Sequence, residues 1–202
     1  MNRSFRSALL LVALVLACSV TGVIDVRGTS AAGSPGHATY RYLVGAGFTE
    51  LGQVCDLGVP CPDEAMASNG DTIEMSGEGT LRLPHSVSGG GSFLHKDSAG
   101  NVLQVGIWTA KKLLSFESLG PGTGTPSTWE GGRALIQIRL AADEGGIEAN
   151  AILEVGCELP GNPPGIIEGV TLKVVDGLDF NQAVEPRATL FINLGTADGQ
   201  AD

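Results

Sequence analysis

The chain has 202 residues, 43% of them hydrophobic and 17% charged, and its 22 acidic side chains against 12 Lys and Arg give a formal net charge of −10. That length suits one domain with a sizeable core. The acidity, relieved by no basic cluster beyond the pair Lys111-Lys112, repels phosphate backbones and argues against nucleic acid as a partner.

From the N-terminus, Arg3 and Arg6 lead into the unbroken apolar run Ala8 to Ala17. This is the pattern of a secretory signal, too short to span a bilayer. Its end, Val15-Leu16-Ala17-Cys18, resembles a bacterial lipoprotein signal, with a small residue before the thiol, although Leu16 is bulkier than the usual residue there. The resemblance implies lipidation of Cys18; release after ordinary cleavage is the alternative. Either way the expected location is extracytoplasmic, secreted or anchored to the outer face of a membrane, with membrane contact only through the anchor. Loss of Arg3 and Arg6 would take the net charge to about −12.

Residues 18–36 are small and turn-forming and read as a tether. A single all-β domain is expected over 37–196, followed by a disordered tail over 197–202. Export makes disulfides available. Cys55 and Cys61 flank a short turn-like loop, which favours a bridge between them and leaves Cys157 as a buried thiol; pairing of Cys157 with either one is the alternative. No CxxC redox or zinc-ribbon spacing occurs.

Beyond the tether the dominant signal is an alternation of period two. Weaker strands are read at Ala38 to Val44 and Leu51 to Cys55, and Pro62 to Ala67 as a helical turn. In Thr72 to Leu83, Ile73, Met75, Gly77, Gly79, Leu81 and Leu83 share a face. Weaker strands follow at Val87 to His95, Val102 to Ala110 and Leu113 to Ser118. Gly120 to Gly132 is expected to be a long loop of little local order. The alternation then resumes with Ala134, Ile136, Ile138 and Leu140 inward. It is cleanest in Glu148 to Leu159, where Ala149, Ala151, Leu153, Val155, Cys157 and Leu159 share a side. Val170, Leu172 and Val174, then Ala188, Leu190, Ile192 and Leu194, complete the inward sets.

Asp97-Ser98-Ala99-Gly100-Asn101 and Asp143-Glu144-Gly145-Gly146 have the chemistry of hairpin loops. About ten strands without intervening helices predict an antiparallel β-sandwich, with a small closed β-barrel as the alternative.

Catalytic signatures are absent from the sequence: there is no GxSxG, HExxH, P-loop or dinucleotide fingerprint. Gly89-Gly90-Gly91 reads as a bulge or a close approach of strands rather than a phosphate loop. Trp108 and Trp129 are ligand-binding candidates, since an aromatic on a sheet face or nearby loop can stack against a sugar ring or hydrophobic ligand; core packing is the competing reading. Asp176, Asp179 and Asn181 are the metal candidates, with calcium as the ion such a loop would take, against a simple Asx turn. His85 and His95 on adjacent strands, with Met66 or Met75, would make a copper site; His37 is the remaining histidine. An acid–base pool, if there is one, is Tyr40, Tyr42, Glu117, Glu130 and the histidines.

The leading functional expectation is a non-catalytic extracytoplasmic binding or surface-structural domain, without a required cofactor. The alternative is a small barrel that carries a lipophilic ligand or acts as a cyclase or isomerase. An apolar cavity with Tyr, His or Glu in its wall separates the two, because a sandwich fills its centre with side chains.

Overall fold

The structure of the protein, a computed structural model, describes residues 38–45, 62–146, 148–184 and 189–196. The chain divides into Met1–Ala32 and Gly33–Asp202, and the described residues all belong to the second unit. The signal, the tether, the tail, the strand expected at Leu51 to Cys55, and His37, Cys18, Cys55 and Cys61 lie outside the described residues.

The described residues are all-β and contain no helix. The strands are β1 (Ala38–Val44), β2 (Asp63–Met66), β3 (Thr72–Arg82), β4 (Ser86–Lys96), β5 (Val102–Pro121) and β6 (Trp129–Ala142), then β7 (Glu148–Cys157), β8 (Gly169–Val174), β9 (Asp179–Phe180), β10 (Gln182–Val184) and β11 (Thr189–Thr196). Every pairing is antiparallel.

Following the hydrogen bonds from β3 through β4, β5, β6, β11 and β1 leads back to β3, so the sheet rings round. It is not a regular barrel, because two strands share an edge between partners. The second edge of β3 pairs with β2 over Thr72–Met75 and with β1 over Gly77–Arg82. That of β6 pairs with β11 at Trp129 and Glu130 and with β7 over Gly132–Ala141. The expected antiparallel sandwich and its barrel-like alternative both describe such an arrangement.

The inward sets form the core as the alternation requires. Ile73, Met75, Leu81, Ala134, Ile136, Ile138, Ala151, Leu153, Val155, Cys157, Val170 and Leu172 are all buried, and each large aliphatic among them contributes roughly 1.5–3 kcal/mol by leaving water. Glycines in β3 and β4 make room for two rings. A Cβ on Gly77 would sit 2.5 Å from Trp108 Cζ2 and one on Gly79 2.5 Å from the Tyr42 hydroxyl.

Four local expectations are corrected. Asp63–Met66 is a strand, not a helical turn: Ala65 pairs with Ile73, Asp63 with Met75, and both residues of β2 are fully buried. The two strands expected over Val102 to Ser118 are one, since bulges between Ala110/Lys112, Leu113/Ser115 and Ser118/Gly120 shift its phase without ending it. The long loop is reduced to residues 122–128, with the Trp129 N–H bonded to Pro126 O at 2.9 Å and the Asn193 N–H to Thr128 O at 2.7 Å. Leu194, expected inward, is 58% exposed, because a register shift between Ala38 and Tyr40 and the left-handed Gly195 (φ 86) break the alternation at the end of β11.

Both hairpin loops are where expected. In the first, Asp97 N–H bonds Asn101 O at 2.9 Å and Gly100 takes φ 84; in the second, Gly145 and Gly146 take φ 77 and 60.

Candidate functional site

Antiparallel pairing brings the start of β3, the end of β4, the start of β5, the end of β6, the start of β7 and the end of β8 to one end of the sheet. There the inner face leaves a cavity of about 170 Å³, walled by Ile73, Phe93, Leu140, Ala142, Ala149, Val174, Leu178 and Phe180, with His95 and Gln104 as its polar members. Period two explains the composition: Phe93 and His95 lie two apart on β4, and Gln104 shares the inner face of β5 with Gly106 and Trp108.

His95 is held from two sides. Its Nε2 lies 3.3 Å from Asp71 Oδ2, with both side chains about one-seventh exposed (15% and 14%). Its ring meets Phe180 edge to face at 5.4 Å. Gln104 is its direct register partner across the β4–β5 pair, so the two polar groups stand side by side on one wall. An otherwise apolar pocket with a few convergent polar groups is the usual form of a small-molecule site.

Asp71 and Gln104 were missed by the sequence reading, though a signal existed for the first. Register counted from the turn before Ser86 places His95 opposite Ile73, two residues from Asp71, whereas its pairing with Gln104 depends on a register shift between His95 and Lys96 that the hairpin alone does not give.

The other candidates are dispersed. Trp108 is 1% exposed in the core, donating its Nε1–H to Ser76 O at 3.0 Å; Trp129, half-buried, opens β6 opposite Ile192. Neither lines the cavity. Asp176 occupies the hairpin turn after β8 with φ 57, and Asp179 faces Lys173 at 3.9 Å; Asp179 and Asn181 border an outer groove with Lys173 and Glu154. Among the described residues no group of three or more His, Cys, Asp or Glu is placed to hold a metal ion. The copper arrangement fails on geometry: His85 lies in the turn before β4 and His95 near the far end of the same strand, roughly 30 Å away at strand rise.

The acid–base pool divides as well. Glu117 is exposed, 3.5 Å from Arg133, and Tyr42 is buried with its hydroxyl bonded to Ser88 O at 3.2 Å. Tyr40 and Glu130 do meet, at the sheet end opposite the cavity. Glu130 accepts from Ser118 Oγ and, at 2.6 Å, from Asn193 Nδ2. Burial, then the Glu130 charge and hydrogen bond, push the Tyr40 hydroxyl up to about 12. Cys157 is a free buried thiol, held well above the usual thiol range by burial and then by the Glu168 charge, which makes it a poor nucleophile.

Comparison with known proteins gives no match: no protein-family model fits the chain, and no curated protein or solved structure is similar to it.

Proposed function

We propose that this is an extracytoplasmic carrier domain that holds a small, mostly apolar ligand in the cavity at the His95 end of the sheet, the alternative that such a cavity favours over a surface-structural domain with a filled centre. The observation that carries the reading is the cavity itself, a recess of about 170 Å³ with eight apolar residues and the neighbouring polar pair His95 and Gln104. An apolar cavity of about 150 Å³ accepts benzene, so the site suits a body of about one ring. The extracytoplasmic location rests on the signal-like N-terminus, with Cys18 as the lipid acceptor.

The His95–Asp71 contact favours a second reading, since a carboxylate-oriented imidazole facing an apolar pocket is the arrangement of a general base. In that case the domain would catalyse proton transfer on a bound ligand, as an isomerase or cyclase does.

Filling the cavity tests the first reading. Toluene should bind the full chain and raise its melting temperature with concentration, as any ligand selective for the folded state does. Ala149→Leu should abolish that response while leaving the unliganded protein folded. A toluene response undiminished in Ala149→Leu would place binding elsewhere and sink the reading. Turnover of a candidate ligand that His95→Gln abolishes would establish the second.

A further inference from the structure

We infer that the ligand of this cavity carries a single neutral hydroxyl head on its one-ring body, held between His95 and Gln104; the inference rests on the cavity being a ligand site. Ile73, His95 and Gln104 form a row across β3, β4 and β5, each the register partner of the next, and all three line the cavity. The hydrogen-bonding roles in that row follow from Asp71. Its carboxylate only accepts, so in its neutral form the imidazole carries its proton on Nε2, 3.3 Å away, and presents Nδ1 as an acceptor. Among the described residues neither Nδ1 nor the Gln104 carboxamide has a hydrogen-bond partner. The wall therefore offers an acceptor beside an amide that can donate.

A hydroxyl matches both, donating to Nδ1 and accepting from the Gln104 amide. A carboxylate matches neither Nδ1 nor the surroundings: Asp71 stands behind His95, and the chain's formal net charge is −10. An ammonium head would have to shed its hydration in an apolar recess. The volume, about 170 Å³, limits the body to about one ring. Phenols and small ring alcohols are the class defined by these constraints.

Three probes of similar size, phenol, toluene and benzoate, test this on the full chain by ligand-observed NMR titration. In a purely apolar cavity the hydroxyl would go unpaired, and toluene would be preferred by about tenfold or more. Here phenol should bind at least as tightly as toluene, and benzoate should not compete. In His95→Leu/Gln104→Leu the order should reverse by about tenfold or more, with retained toluene binding reporting an intact fold. The single change Gln104→Met should weaken phenol several-fold and spare toluene. A tenfold preference for toluene in the unaltered protein, phenol binding unchanged in the double variant, or benzoate binding as well as phenol would overturn the hydroxyl assignment while the cavity reading stands. Failure of both toluene and phenol to bind at millimolar concentration would remove the cavity reading and this inference with it.

Discussion

Glu168 is a carboxyl that its environment moves far from its ordinary chemistry. It lies just before β8, accepting from the Glu158 N–H and lying 2.8 Å from Thr189 Oγ1. Thr189 has one hydroxyl proton and two neighbours that can accept it, Glu168 and Gly156 O. Donation from the Glu158 and Thr189 N–H groups and from the Thr189 hydroxyl favours the carboxylate, but less than burial disfavours it. Burial, and to a lesser extent the charge of Asp63, push the carboxyl up to about 7. A folded-state value above the unfolded one means that the folded protein holds this proton more tightly. The stabilisation is therefore complete below about pH 4.5 and lost as pH rises through about 7. Urea unfolding at pH 5 and pH 8 should show Glu168→Gln gaining about 2–3 kcal/mol at pH 8 relative to its effect at pH 5. An equal effect of the substitution at both values would rule this out.

At the scale of elements, the ring depends on how β1, β5, β6 and β11 are joined. Glu130, only 8% exposed, is where they meet: Ser118 comes from β5, Asn193 from β11 and Tyr40 from β1. Removing the carboxylate takes a partner from the buried Tyr40 hydroxyl and from half-buried Asn193, while Ser118 is exposed to solvent, and Glu130→Ala should cost about 1–3 kcal/mol in denaturant unfolding. Glu130→Gln keeps one acceptor oxygen and should cost less. A loss below about 0.5 kcal/mol in the alanine variant would show that the ring closes without this junction. The same strands show where alternation stops being readable. In β5 the inward residues run Trp108, Ala110, Leu113, Phe116 and Leu119, a spacing of two that becomes three because each bulge inserts a residue. A pattern search for period two breaks this single strand into pieces. The opposite face is no help, for Leu103, Val105 and Ile107 are all apolar yet 51%, 44% and 56% exposed.

For the whole molecule, the prediction concerns where it resides. An acidic β-domain behind a lipoprotein-like N-terminus should be recovered from the membrane fraction as a chain starting at Cys18 with added diacyl mass, read by intact mass spectrometry. A soluble chain that starts near Ala32 or Gly33 would exclude the anchor and leave a diffusing carrier. The functional proposal survives either result, because the cavity is formed by residues between Ile73 and Phe180.

The sequence by itself determined the fold class, the main hairpins and most of the buried faces. These follow from local physics: alternating side chains must sort to opposite sides of a strand, and glycine is the residue that accepts the left-handed positions at Gly100, Gly145 and Gly146. The placement of His95 opposite Ile73 was in principle countable from the turn before Ser86, but the register shift between His95 and Lys96 that sets Gln104 beside it was not. Tertiary structure alone decided which apolar face of β5 is buried, that Trp108 is core, and that the Asp176 loop is a turn. It alone placed the ends of six strands around one recess and brought Tyr40 to Glu130 across 90 residues of chain. Those outcomes depend on strand order and bulge phase, which arise from packing between distant segments and leave no local mark in the sequence.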